Sequence, residues 1–127
     1  GRAAILVVDD DPLSRGALCA VLEESGFAVS EATRGEEALA VLERQPVNMV
    51  IADYFMPGMT GTDLLAKVHQ RRPDVVRVLM SGRAEVPMLL EALNRGAISR
   101  FLAKPWAIDD VRTTVEEALG GMSVWRT

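Results

Sequence analysis

The chain has 127 residues, 49% of them hydrophobic and 25% charged, with a formal net charge of −4. That length sets one domain, and the acidic balance speaks against a nucleic-acid partner, whose phosphates call for a basic face. The single cysteine, Cys19, excludes an internal disulfide and a cysteine-rich zinc site, and no apolar run approaches the ~18 residues of a membrane span, so a reducing, cytoplasmic setting without membrane contact is expected.

Ala4 to Val8 is an apolar run without alternation, as in a strand buried on both faces of a parallel sheet. Residues 12–25 change to helical spacing, with Ala17, Leu18, Val21 and Leu22 on one stripe and Gly26 as the stop. Phe27 to Ala32 reads as a weaker strand, and Gly35 to Arg44 as a helix with Ala38, Leu39 and Leu42 on one face. Met49 to Ala52 is a second buried strand, followed by the turn-rich Pro57-Gly58-Met59-Thr60-Gly61. A helix carrying Leu64, Leu65 and Val68 closes before Pro73, and Val75 to Met80 is the fourth strand. Pro87 suits the first turn of a helix that runs to about Arg95, capped by Gly96. Ile98 to Leu102 is the fifth strand. The last helix starts near Ile108, with Asp109 and Asp110 at the positive end of its dipole and Ile108, Val111, Val115 and Leu119 as its apolar stripe. Five strand–helix units with buried strands predict an α/β, doubly wound parallel sheet. Ligands of such folds bind outside the carboxyl ends of the strands.

Those ends carry chemistry. Asp9-Asp10-Asp11 follows the first strand, Asp53 the third, Ser81 the fourth and Lys104 the fifth. Asp11, just before Pro12, suits a helix cap; capping leaves Asp9 and Asp10 unexplained. If the first and third strands are neighbours, their carboxylates crowd, which is costly unless a cation neutralises them. Oxygen ligands without His or Cys select a hard ion, Mg²⁺ or Mn²⁺. Lys67 and Lys104 are the only lysines among 14 basic residues, so a lysine at a strand end suggests a need for a compact point charge. Pro105 permits a cis Lys104–Pro105 bond. Taken singly, Ser81 reads as a helix cap, while for Lys104 a surface lysine paired with an Asp is the alternative to that point charge. His69, the lone histidine, reads as a surface side chain far from the acids, Cys19 as a packed apolar residue, and Trp106 as a packing residue or a partner contact.

Four segments, in this order, resemble the response-regulator receiver domain: Ile5 to Asp11, Asp53 to Gly61, Met80-Ser81-Gly82 and Phe101 to Pro105. The resemblance covers residues about 4–120 and implies a flavodoxin- and CheY-like five-stranded sheet of order 2-1-3-4-5 with five helices. It implies phosphoryl transfer from a sensor histidine kinase or phosphotransfer protein to Asp53. Asp10 resembles a direct Mg²⁺ ligand, Asp9 an acid acting through water, and the carbonyl of Phe55 a further ligand beside Asp53. Ser81 and Lys104 resemble the phosphoryl-binding hydroxyl and amine, and Phe101 the aromatic switch. Phe55 departs from the small or polar residue often found two after the acceptor, and Arg83, two after Ser81, is long and basic; both positions bear on dephosphorylation rate. Leu93 to Trp106 is similar to receivers joined to cyclic-di-GMP phosphodiesterase or hydrogenase-regulator outputs.

These resemblances make residues 1–120 the receiver and 121–127 the start of a linker to an output domain outside this chain. They lead to the expectation that a face of the fourth helix, fifth strand and fifth helix, which holds Arg95, Arg100 and Arg112, is read on phosphorylation by a second receiver, giving a phosphorylation-dependent homodimer, or by the output domain. A haloacid-dehalogenase phosphatase needs a second acid where Phe55 stands. A nucleotide-binding domain needs a G-x-G-x-x-G or P-loop that is missing after the first strand. A receiver fold that signals without phosphorylation conflicts with the intact Asp10, Asp53, Ser81 and Lys104.

Overall fold

The computed structural model describes residues 2–82 and 86–120. The predicted linker start at 121–127, Arg83 and Trp125 lie outside them. The elements alternate as β1 (Ala4–Val8), α1 (Pro12–Glu24), β2 (Ala28–Ala32), α2 (Gly35–Arg44), β3 (Met49–Asp53), α3 (Gly61–Arg71), β4 (Val76–Ser81), α4 (Val86–Asn94), β5 (Arg100–Ala103) and α5 (Ile108–Leu119). All pairings are parallel and the strand order is 2-1-3-4-5, as the resemblance implied.

Strand residues alternate between two cores because successive side chains point to opposite faces. Leu6, Val8, Val50, Ala52 and Leu79 pack under α2, α3 and α4. Ile5, Val7, Ile51, Val78 and Met80 pack under α1 and α5, where Cys19 is buried as expected. The continuous apolar runs of the central strands follow from burial on both sides.

The local signals act as read. Asp11 caps α1 by accepting from the Leu13 N–H, and Pro12 opens the helix. Gly26 and Gly96 adopt positive φ, 97° and 65°, at the ends of α1 and α4. Thr60 and Asp63 form a reciprocal capping box on α3.

Two readings are corrected. The stripe of α1 is Leu18, Cys19 and Leu22 with Val21 packed beside them, whereas Ala17 is exposed, and Ile108 is exposed at the start of α5. β4 starts and ends one residue later than its apolar run, and β5 starts at Arg100 rather than Ile98. Buried Arg77 ties the segment before β5 to β4: its guanidinium donates to the carbonyls of Gly96 and Ala97, and to that of Val75, while the Ser99 N–H donates to the Arg77 carbonyl. Arg95 follows α4 directly, Arg100 lies in β5 and Arg112 in α5, and all three are exposed. Arg95 pairs with Asp63 on α3 and Glu91 on α4, Arg112 donates to Ser25 Oγ after α1, and Arg100 donates to the Ser99 carbonyl.

Candidate functional site

Strand order makes the site. β1 lies between β2 and β3, and β4 lies between β3 and β5, so the carboxyl ends of β1, β3, β4 and β5 stand in a row. Asp53 closes β3 opposite Met80, and Ser81 closes β4 opposite Ala103, one residue before Lys104. The Lys104 N–H donates to the Ser81 carbonyl at 3.0 Å, and the Tyr54 N–H to the Met80 carbonyl at 2.8 Å. The Lys104–Pro105 bond is cis.

Lys104 Nζ lies 3.2 Å from Asp9 Oδ2 and 3.2 Å from Asp53 Oδ2. Asp9, Asp10 and Asp53 bring ligand oxygens within 4.8 Å of one another. Asp9 is 0% exposed, and its other oxygen, Oδ1, accepts from the Asp11 N–H at 3.0 Å. Asp53 is 8% exposed, whereas Asp10 faces solvent. Burial pushes the Asp53 carboxyl above its ordinary value; the Lys104 ammonium pulls it back, and the Asp9 carboxylate adds to the rise. Burial also opposes the Lys104 ammonium, but the Asp53 and Asp9 carboxylates outweigh it and hold Lys104 above its ordinary value. The site is thus a cluster of acids with one cation, short of positive charge.

The other predicted residues fall around this cluster. Ser81 is buried at the end of β4. Phe55 is 47% exposed, its ring edge-on to Tyr54, and its backbone N–H donates to the Asp53 carboxylate. Phe101 is half-buried against the α2–α4 core. Trp106 both packs on the α1/α5 core and lines a groove with Asp11, Ser14, Gly82, Lys104 and Pro105. His69 lies in the last turn of α3, near Gly96 and away from the acids.

Two contributors gave no local signal. Arg15 reaches the site's backbone, donating to the Asp9 carbonyl. Gly61 lets α3 touch the acceptor strand: a Cβ there would stand 2.4 Å from the Asp53 carbonyl oxygen and 2.9 Å from Tyr54 Cα. Both obstacles are backbone and cannot swing aside. Gly61→Ala is therefore expected to cost about 2 kcal/mol, within the range for overpacking, despite alanine's better helix propensity. A thermal melt checks this; an unchanged or raised midpoint sinks it.

A parallel sheet with oxygen-only acids and one lysine at its carboxyl edge defines a class: an α/β domain whose acidic cluster could hold a hard cation. Comparison with known proteins agrees. The family model for the response regulator receiver domain matches residues 5–116. The hydrogenase transcriptional regulatory protein HoxA of Cupriavidus necator is 37% identical over 118 residues, 93% of this chain and 24% of that protein. The DNA-binding transcriptional regulator NtrC of Salmonella typhimurium is 32% identical over 93% of this chain and 25% of its own length. The signal receiver domain of an HD domain-containing protein from Pseudomonas fluorescens superposes with a TM-score of 0.89 at 31% identity, covering 94% of this chain and 95% of that one. The chain belongs to the response regulator receiver domain family, whose general function is to accept a phosphoryl group in two-component signalling. It spans about a quarter of the length of the first two of these relatives.

Among the described residues, no helix is long and apolar enough to cross a membrane.

Proposed function

We propose that this domain accepts a phosphoryl group on Asp53 from a phosphohistidine of a sensor histidine kinase or phosphotransfer protein. What supports this reading above all is Lys104 Nζ, 3.2 Å from both the Asp9 and Asp53 carboxylates, beside three acids that lack any other buried cation partner in the described site. Asp9, Asp10, Asp53 and the Phe55 carbonyl are the set that would hold Mg²⁺ or Mn²⁺. Oxygen donors this close, with no nitrogen or sulfur ligand, fit such an ion. The bound ion would neutralise charge on the transferring group.

An Asp53 carboxylate oxygen attacks phosphorus, the P–N bond breaks, and its electron pair leaves on the imidazole. Lys104 offsets charge on the phosphoryl oxygens and Ser81 donates its hydroxyl to one of them. The protein's part is positioning and charge neutralisation. The groove beside Trp106, with the exposed Leu13 near it on α1, gives the donor a surface next to Lys104. The acyl phosphate is labile to water, so catalysis is limited to the domain's own phosphotransfer and slow autodephosphorylation. Phe55, half-exposed beside Asp53, bears on water access to it. The protein works in the cytoplasm and passes its state to an output domain outside residues 1–120.

Incubation with Mg²⁺ and acetyl phosphate, followed by intact-mass analysis, tests this. One added phosphoryl group is expected, and none without the metal. No adduct with either acetyl phosphate or a phosphorylated kinase domain overturns the reading.

The output step uses Phe101. A phosphoryl group brings about −2 charge and draws Ser81 toward it, which gives the Phe101 ring room to rotate further into the core. This biases a two-state element of α4, β5 and α5. Leu90 and Leu93, exposed on α4, then support a homodimer. A beryllofluoride mimic is expected to raise the sedimenting mass and alter hydrogen exchange in α4 and β5. Phe101→Ala is expected to bind the mimic and lose both responses. Wild-type responses in that variant would remove Phe101 from the pathway.

A further inference from the structure

Arg15 stands in the second turn of α1, with its side chain 17% exposed. One arm of its guanidinium, Nε, donates to Glu31 Oε1 at 2.8 Å, and another, Nη1, donates to the backbone carbonyl of Asp9 at 2.8 Å. Glu31 belongs to the edge strand β2, paired in register with Val7. The guanidinium thus spans from the sheet edge to the turn that carries the acids. An exposed ion pair alone contributes little to stability. A planar fork engaged at two points does something else: it fixes direction.

The direction matters because of what the Asp9 carbonyl belongs to. It lies in the peptide plane that joins Asp9 to Asp10, and that plane is rigid. Every other polar handle of Asp9 is already tied. Its N–H donates to the Ala32 carbonyl at 3.1 Å, Oδ1 accepts from the Asp11 N–H at 3.0 Å, and Oδ2 pairs with Lys104 at 3.2 Å. Asp10 is exposed and not among the residues these contacts hold. The Arg15 bond is what sets the plane from which Asp10 departs.

We infer that Arg15, oriented by Glu31 on β2, is a positioning residue that aims Asp10 at the cation. This rests on reading Asp9, Asp10 and Asp53 as the Mg²⁺ site. The inference has a sign that separates it from simple electrostatics. Arg15 is a positive charge near the acids, so by Coulomb's law its removal should tighten Mg²⁺ binding. Loss of a positioning partner should loosen it, by about 10-fold or more for groups that orient a metal ligand.

Calorimetric titration of the unphosphorylated protein with Mg²⁺ decides between them. Arg15→Met is expected to bind at least 10-fold more weakly than wild type. Arg15→Lys keeps the charge but its single ammonium cannot span both acceptors, so it is expected to bind severalfold more weakly and not to rescue. Glu31→Gln, which frees the guanidinium to turn, is expected to show a smaller loss in the same direction. Melts in EDTA establish that each variant is folded; if Arg15→Met is not, Arg15→Lys is the arbiter. Affinity equal to or tighter than wild type in the arbiter overturns the inference while leaving the metal site standing. A wild type with no saturable Mg²⁺ binding overturns the site itself, and the inference with it.

Discussion

Asp53→Asn is expected to abolish phosphoryl uptake outright and, without metal, to raise stability. Of the two acids paired to Lys104, Asp53 is the one proposed to meet phosphorus. The Asp9 side chain is 0% exposed and the Asp53 side chain 11%, and both Asp9 oxygens already accept hydrogen bonds. An amide is not a nucleophile here, so no adduct should appear after acetyl phosphate treatment. An unchanged phosphorylated peak would reassign the acceptor. The stability effect follows from the raised Asp53 carboxyl. A carboxyl held above its ordinary value binds its proton more tightly in the folded chain than in the unfolded one. Folding is therefore favoured at low pH, and that advantage is lost as pH rises through the folded value, leaving the full cost of the ionised group at neutral pH. Asn carries no such cost. A gain of about 1 kcal/mol would lift the midpoint by roughly 4 °C in a domain of this size. Melts in EDTA at pH 7 and pH 4 check it: the variant should lead at pH 7 and the gap should narrow at pH 4. A lower midpoint than wild type at pH 7 would refute the sign.

The second large effect concerns the cation. Asp10→Ala is expected to weaken Mg²⁺ binding by well over 10-fold, and by more than Asp9→Ala. Asp10 is exposed and outside the Lys104 pairs, so its carboxylate is available to an ion. Asp9 is engaged with Lys104 and the Asp11 N–H, so on the proposed reading it would act on the ion at one remove, where losses of about 10–100-fold are usual. The two variants separate on stability as well. Asp10→Ala removes an exposed charge from an acidic cluster and should leave the midpoint nearly unchanged. Asp9→Ala empties a buried position and unties the β1–α1 turn, so its midpoint should fall. Calorimetry gives the affinities, and Trp106, in the groove beside Lys104, offers a fluorescence readout. Wild-type Mg²⁺ affinity in Asp10→Ala would remove it as a ligand.

The elements were legible because their signals are local. Unbroken apolar runs mark strands covered on both faces, a 3.6-residue stripe marks each helix, and Asp11, Pro12, Gly26 and Gly96 punctuate them through backbone geometry that a single residue sets. The strand-end acids, Ser81 and Lys104 stood out for the same reason, since residues costly to bury interrupt a pattern that is otherwise apolar. What those residues do to one another is not local. That Asp9 is sealed while its neighbour Asp10 is open depends on Lys104, 95 residues away, and on β2. The need for glycine at position 61 arises from an approach to Asp53, not from a turn. The acceptors that Arg95, Arg112 and Arg100 find come from separate parts of the chain: Asp63 on α3, Ser25 after α1, and the Ser99 carbonyl. Arg15 looks like any charged helix residue until β2 brings Glu31 beside it. Propensity and periodicity are properties of a segment, whereas charge compensation and close packing are decided by whichever atoms the topology makes neighbours.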